Sequence, residues 1–391
     1  MTDQASGGGA GPNDAGPSRL LHIFPTFAVG GAQMRFATLA NIFGAEFRHL
    51  VFAMDGCYDC RAQLDPAVKF ETPEIAYDKG KVLHNIVVFR RALQHLRPDL
   101  LLTYNWGSVE WAVAASLLPG LRHLHTEDGF GPGEEHGPFW RRSAFRRIAL
   151  RKAEKVIVPS LVLRDIAKSA WHIPKRRLAY IANGIDCALY ADKPAPAMLP
   201  EAFRADDTLL IGTLATLRKE KNLYRLLAAF QIVHASLPNA RLVVVGDGVE
   251  RTGLEERTRQ MGLREQVHFA GHLQQPERIV GLFDVFALSS DTEQMPISVL
   301  EAMAAGLPVA AVAVGDVPGM VARENADCIV RRGDGEALAR VILELLRSPE
   351  RRLEIGAANR ARAAQHYSLE QMLRQHGDLW RGAAPGAAAP G

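Results

Sequence analysis

The sequence predicts an α/β protein of two doubly wound, Rossmann-like domains with mainly parallel sheets. Three observations predict it. The 391 residues are enough for two domains at roughly 150 residues each. Short apolar runs of strand length alternate with longer amphipathic segments, and this rhythm runs through the chain twice. Between the two series lies Asp192-Lys-Pro-Ala-Pro-Ala-Met-Leu-Pro200, a breaker-rich stretch suited to a domain boundary.

Residues 1–18 are rich in Gly, Ala and Pro and carry no Lys or Arg, so they lack the basic and apolar regions of a secretion signal and read as a disordered tail. Strands follow at 20–24, 49–53, 100–104, 121–125, 156–159 and 178–181, with helical patterns such as 32–43 and 82–96 between them. Strand–helix–strand repetition of this kind builds a parallel sheet covered on both faces. A second series has strands at 209–214, 240–245, 267–270, 285–288, 308–312 and 328–330, and three helical stretches between 335 and 380. The expected division is an N-terminal domain at 19–190, a linker at 191–207, a C-terminal domain at 208–366, a last helix at 367–381 that either ends the second domain or crosses back to the first, and a disordered tail at 382–391.

The net charge is +3, from 46 basic and 43 acidic residues. Attraction to nucleic acid or to a membrane therefore needs a local patch, and no nucleic-acid partner is expected. The longest run free of charged and polar side chains, 302–315, falls short of the ~20 residues that span a bilayer. Four cysteines are too few to staple the chain, in keeping with a reducing cytoplasm. Cys57-Tyr-Asp-Cys60 has zinc-ligand spacing, but no second pair follows, so it reads as a loop with two free thiols. Gly246-Asp-Gly248 lacks the third glycine of a dinucleotide fingerprint, and no phosphate-binding Gly-x4-Gly-Lys-Ser/Thr occurs.

The strongest motif is Asp291-Thr-Glu-Gln-Met-Pro-Ile-Ser-Val-Leu-Glu301-Ala-Met-Ala-Ala-Gly306-Leu-Pro-Val. Pro296 suits the first turn of a helix, which puts Glu293 in the preceding loop and Glu301 within the helix. Backbone N–H groups of Met295, Ile297 and Ser298 would then point out of the helix N-terminus as donors for an anionic or hydroxyl-rich ligand. Taken singly, Glu293 is as well read as a cap and Glu301 as a solvated helix residue.

The ensemble resembles a family. Glu293-x7-Glu301 with its continuation is similar to the corresponding element of the family-four retaining glycosyltransferases, which have the GT-B fold of two facing Rossmann-like domains with a cleft between them. Four further elements occur in the family's order. Phe27-Ala-Val-Gly30-Gly31-Ala resembles its N-terminal glycine loop, and His125-Thr-Glu-Asp-Gly its His-Thr-Glu-His-Gly segment. Ile181-Ala-Asn183-Gly184-Ile-Asp186 resembles the end of its first domain, and Gly212-Thr-Leu-Ala-Thr-Leu-Arg218-Lys-Glu-Lys221-Asn its basic diphosphate loop. The resemblance spans roughly 20–380.

What it implies is a cytoplasmic, bacterial-type transferase that moves a sugar, with retention, from a UDP- or GDP-sugar donor to a hydroxyl acceptor in polysaccharide or glycolipid synthesis. His125 and Glu293 would contact the transferred sugar, Glu301 the ribose, and Gly30, Gly31, Met295, Pro296 and Ile297 the donor. Arg218 and Lys221 would offset charge growing on the leaving diphosphate, with Lys219 the alternative to Lys221. Two positions depart from the pattern: Thr213 stands where many members carry arginine, and Asp128 replaces the second histidine, so no role passes to that position. No metal and no cofactor are expected. The rival readings are a GT-B nucleotide-sugar epimerase and a two-lobed sugar-binding protein without catalysis.

Residues 141–155 hold seven basic residues and one acidic one, with Phe139, Trp140, Phe145 and Ile148 interleaved or adjacent. They read either as an amphipathic helix resting peripherally on anionic lipid, which suits a lipid-linked acceptor, or as an exposed arginine-rich helix.

Overall fold

The computed structural model describes residues 17–129 and 140–382; residues 1–16 of the tail expected at 1–18, residues 383–391 of the tail expected at 382–391, and Phe139 lie outside the described residues, whereas Ser18 already begins a strand. The chain divides into two compact units, Met1–Ile157 with Ile166–Ala179, and Val158–Asp165 with Tyr180–Gly391.

The first sheet has seven strands: β1 (Ser18–Phe24), β2 (Phe47–Ala53), β3 (Lys69–Glu71), β4 (Leu100–Tyr104), β5 (Arg122–Thr126), β6 (Lys155–Val158) and β7 (Leu178–Tyr180), in the order β3-β2-β1-β4-β5-β6-β7. The pairings from β3 through β6 are parallel. The helices of this series are α1 (Gly31–Phe43), α2 (Val82–Leu96), α3 (Val109–Ser116), α4 (Trp140–Ala149) and α5 (Leu161–Ser169). Strand β1 is buried from Leu20 to Phe24, as a strand covered on both faces must be. Leu21, Ile23, Leu50, Phe89 and Trp111 belong to one core cluster beneath α2 and α3. Strand β3, Lys-Phe-Glu, was not expected: it is a short edge strand with both charged ends exposed, so it has no apolar run to read.

The second sheet has six strands, β8 (Leu209–Leu214), β9 (Ala240–Val245), β10 (Val267–Gly271), β11 (Val285–Leu288), β12 (Val309–Val312) and β13 (Ile329–Val330), in the order β10-β9-β8-β11-β12-β13 and parallel throughout. Its helices are α6 (Leu223–Ser236), α7 (Arg251–Gln260), α8 (Glu277–Val280), α9 (Ile297–Ala304), α10 (Val317–Met320), α11 (Gly335–Arg347), α12 (Pro349–His366) and α13 (Leu369–Arg381). The proline-rich stretch lies inside this unit, where Leu199 and Phe203 join its core. Helix α13 lies in the same unit, and Ser368 just before it bridges to Ile185. Among the described residues no helix is long and apolar enough to cross a membrane.

Strand order reverses direction at β1/β4 in one sheet and at β8/β11 in the other. Ligands of open α/β sheets bind outside the strand C-termini at such switch points. The loops leaving β1, β4, β8 and β11 are therefore the ones that matter.

Candidate active site

In the second unit, the loop after β8 and the loop after β11 are stitched together across the switch point. Asn222 adopts a left-handed conformation, φ 42° and ψ 51°, and its side chain caps α6 by accepting the Arg225 N–H. Its amide donates to Asp291 Oδ2 at 2.9 Å, while Arg225 donates to Asp291 Oδ1 and to the Ser289 carbonyl, both at 2.7 Å. Two bonds to backbone carbonyls close the seam: the Asp291 N–H donates to the Glu220 carbonyl at 2.8 Å, and the Ser289 hydroxyl to the Lys221 carbonyl at 3.1 Å.

This seam brings Lys221 to Glu293. Lys221 Nζ lies 2.7 Å from Glu293 Oε1, and Ser290 Oγ donates to the same oxygen at 2.7 Å. Arg218 and Lys219 are exposed, whereas Lys221 is half-buried. Gly246 and Gly248 explain the shape of the basic loop: both have positive φ, and a Cβ on either would strike the carbonyl oxygen of Ala215 or of Leu217. The glycine pair that does not read as a dinucleotide fingerprint instead lets 246–248 lie against the segment leading to Arg218.

Pro296 stands one residue earlier than expected, capping α9 ahead of Ile297. The preceding loop is held from three sides. Asn183 donates its amide to the Met295 carbonyl at 3.0 Å. Asp316 N–H bonds the Gln294 carbonyl at 2.8 Å. Gly315, at φ 52°, sits where a Cβ would meet the carbonyl oxygens of Glu293 and Gln294. Sequence reasoning placed Asn183-Gly184 in a segment resembling the end of the family's first domain, a turn and secondarily a hinge, and did not find Asp316 or Gly315. No local signal marks them, because their partners lie far along the chain.

Glu301 lies on α9 as expected but is not a solvated surface residue. Tyr190 donates its hydroxyl to Glu301 Oε1 at 3.2 Å. Burial pushes the Glu301 carboxyl up to about 7; the Tyr190 hydrogen bond pulls it down, and the charge of Glu277 adds to the rise.

In the first unit, Gly30 caps α1 with extended backbone, and a Cβ on Gly31 would meet nothing within 4 Å. His125, at the end of β5, is fully buried. Its Nδ1 is 2.8 Å from Thr103 Oγ1, which also reaches His123 Nε2 at 2.8 Å. Its Nε2 is 3.4 Å from Glu127 Oε2. Both ring nitrogens are thus engaged within the unit. Glu127 is in turn held by Arg146 Nε at 3.0 Å, and the Arg146 guanidinium lies 4.9 Å from the Trp106 ring centroid and 4.8 Å from that of Trp171. Asp128, where the second family histidine is absent, pairs with Arg35 at 2.5 Å.

Helix α4 differs from an idealised lipid-facing helix. Arg146 turns inward to Glu127, and Phe145 packs on Trp106. Trp140 and Ile148 remain 74% and 64% exposed, beside exposed Arg141, Arg147, Arg151 and Lys152. All four cysteines are free, and burial pushes the Cys60 thiol up to about 11.

Comparison with known proteins bears on both units. The GDP-mannose-dependent alpha-(1-6)-phosphatidylinositol monomannoside mannosyltransferase of Mycobacterium tuberculosis is 28% identical over 251 residues, 62% of this chain and 65% of that one. The N-acetyl-alpha-D-glucosaminyl L-malate synthase of Bacillus anthracis is 22% identical over 207 residues, 53% of this chain and 54% of that one. The chain thus spans between about half and two thirds of the length of these curated relatives. A crystal structure of Anabaena HepE in complex with UDP superposes with a TM-score of 0.79 at 19% identity, covering 93% of this chain and 100% of that one; the fold is GT-B. The profile described as Glycosyltransferase Family 4 matches residues 29–189, and that described as Glycosyl transferases group 1 matches residues 198–362. The two profiles follow one another without overlap, as the two halves of one kind of protein, and the chain belongs to the family-four, group 1 glycosyltransferases.

Proposed function

We propose that this protein is a retaining glycosyltransferase that transfers a sugar from a UDP- or GDP-sugar to a hydroxyl acceptor. The observation that supports the reading is the Lys221–Glu293 ion pair at the β8/β11 switch point, a cation suited to the leaving phosphates beside a carboxylate suited to the sugar hydroxyls. Glu301 then accepts from the ribose hydroxyls, and the backbone around Met295, Pro296 and Ile297 lines the donor. Arg218 reaches the diphosphate from the exposed side of the loop, and Gly30 and Gly31 leave the start of α1 open to a phosphate. His125, fully buried with both ring nitrogens engaged, would have to release one of them to contact the transferred sugar.

Transfer proceeds on one face of the sugar. The acceptor oxygen bonds to the anomeric carbon as the bond from that carbon to the phosphate oxygen breaks. The acceptor proton passes to the departing phosphate oxygen, so no protein nucleophile is needed. Charge appearing on the phosphates is met by Lys221 and Arg218, and the reading requires no divalent metal. UDP in the HepE structures and GDP-mannose in the name of the mycobacterial relative make those two nucleotides the first to test. A lipid-linked acceptor fits the exposed Trp140 and Ile148 among arginines on α4, with the enzyme working at the cytoplasmic face of a membrane.

The test is a thermal-shift screen of UDP- and GDP-sugars, since a bound donor stabilises the folded state by mass action, followed by product analysis with and without an acceptor extract. The reading expects stabilisation by one nucleotide class and sugar transfer that survives EDTA. No stabilisation by any nucleotide sugar, or epimerised donor with no transfer, would overturn it.

A further inference from the structure

The Tyr190–Glu301 contact is not part of the donor site as read above. Tyr190 ends a short turn, Cys187–Tyr190, whose start is capped by Asp186 accepting the Ala188 N–H. This turn packs against α8, α9 and α12. The Tyr190 ring is 5% exposed and belongs to the core of the second unit, so its hydroxyl has little choice of direction. That hydroxyl meets Glu301 Oε1; among the described residues no side chain or backbone group donates to Oε2.

We propose that Tyr190 is a positioning residue for nucleotide binding: its buried hydroxyl fixes the Glu301 carboxyl group through Oε1 and so keeps Oε2 available and oriented for the ribose hydroxyls of the donor. The inference rests on the reading of Glu301 as the ribose acceptor. A carboxylate on a half-buried helix face is free to turn about its side-chain bonds, and a ligand must then offset the cost of ordering it. A phenol locked in the core removes that cost in advance. It also acts on charge. Burial and the Glu277 carboxylate both favour the neutral acid at Glu301, and the Tyr190 hydrogen bond opposes them. Asp186, on the turn itself, also acts on Tyr190, and Arg360 of α12 acts on Cys187 at the start of the turn and donates to the Ala305 carbonyl at the end of α9. With the phenol gone, the balance shifts to the protonated acid, which accepts ribose hydroxyls poorly.

The experiment measures Kd for UDP and for GDP by calorimetry between pH 6 and 9, on wild type, Tyr190→Phe, Glu301→Gln and the double variant. Ratios to wild type cancel the ionisation of the phosphates. The expected result is roughly tenfold weaker binding by Tyr190→Phe at pH 7, recovering toward wild type by pH 9, and a double variant no weaker than Glu301→Gln. Wild-type binding by Tyr190→Phe at every pH, while Glu301→Gln is weakened, overturns the positioning role and leaves the ribose assignment standing. A pH-independent loss in Tyr190→Phe, or additive losses in the double variant, also overturns it, because packing alone would act that way. Undiminished binding by Glu301→Gln removes the ribose assignment and this inference together, as does failure of both nucleotides to bind wild type.

Discussion

Lys221 Nζ and Glu293 Oε1 lie 2.7 Å apart, and the sequence separation of 72 residues is bridged by a seam that does not involve either side chain. Asn222, Arg225, Ser289 and Asp291 make the seam; Lys221 and Glu293 meet because of it. Without a ligand, each therefore holds the other's charge. On the proposed reading, a donor that inserts between them gains two partners already aligned, one for phosphate and one for sugar hydroxyls, at the cost of parting a half-buried ion pair.

From this follows a contrast within the basic loop. Lys221→Ala should reduce kcat more than it raises the donor Kd, because the charge it meets grows only as the bond breaks. Loss of one preorganised charge typically lowers the rate on the order of a hundredfold or more. Exposed Lys219→Ala should stay within a few-fold of wild type. Steady-state kinetics with separate measurement of donor binding checks both, and the reverse pattern would move the loop by two residues.

The Glu301 carboxyl carries a stability cost with a definite sign. Its folded value of about 7 lies above the ordinary 4.5, so between those values the folded protein holds a proton the unfolded chain has released. Stability therefore falls as pH rises from about 4.5 to 7 and stays reduced above. Glu301→Gln should match wild type near pH 4.5 and melt higher at pH 8. A gain of about 1 kcal/mol corresponds to ~2–4 °C for a unit of this size. A lower melting temperature at pH 8 would refute it.

Most of the architecture was legible because strands buried on both faces read as unbroken apolar runs. Leu242 to Val245 and Val285 to Leu288 could not be solvated faces. Edge strand β3 was not legible, since Lys-Phe-Glu carries no such run. At the site, Glu293, Glu301, Lys221 and the glycine loop were visible as motifs. Of the residues that hold them, Asp316 and Tyr190 act across long sequence separations and leave no local pattern, while Asn183 and Asn222 stand inside motifs that do not reveal their distant partners, Met295 and Asp291. Arg146 is a different case: Ser143, Arg146 and Ala149 form the buried face of α4, and their three-residue spacing was readable, but arginine at such a position counts as exposed until its partner, Glu127, is known.

A buried histidine pair gives the first unit an acid limit. His22 shares hydrogen bonds of 3.0 Å with the Tyr104 hydroxyl and with His49, across β1, β4 and β2. Burial lowers His22 well below its usual range and takes His49 from 6.5 to about 4, while His123 is lowered to about 3. The unfolded chain takes up these protons below about pH 6.5 and the folded unit refuses them, so stability is lost as pH falls from about 6.5 toward 4. Each such group contributes a slope of about 1.4 kcal/mol per pH unit. His49→Leu should flatten the pH dependence of the urea midpoint over that window by about one proton. An unchanged slope would count against it.

Helix α4 separates a structural arginine from its surface neighbours, and this allows the membrane contact to be tested without unfolding the protein. Arg146 is 1% exposed and neutralises buried Glu127; removing it leaves an unpaired buried charge, so Arg146→Ala should destabilise the first unit by about 3–5 kcal/mol and say nothing about lipid. Trp140, Ile148, Arg141 and Arg147 are exposed, and substituting them should move stability by no more than about 0.5 kcal/mol. If they form the lipid-facing patch, wild type should bind vesicles only when acidic lipid is present and release them as salt rises, because exposed charge is screened beyond ~8 Å at physiological ionic strength. Each Arg→Ala change there should weaken vesicle binding by about 1 kcal/mol, and Trp140→Ala should weaken it without altering the salt dependence. Sedimentation with vesicles of defined charge measures all of this, and equal binding to neutral vesicles, or none to acidic ones, leaves α4 as an ordinary surface helix.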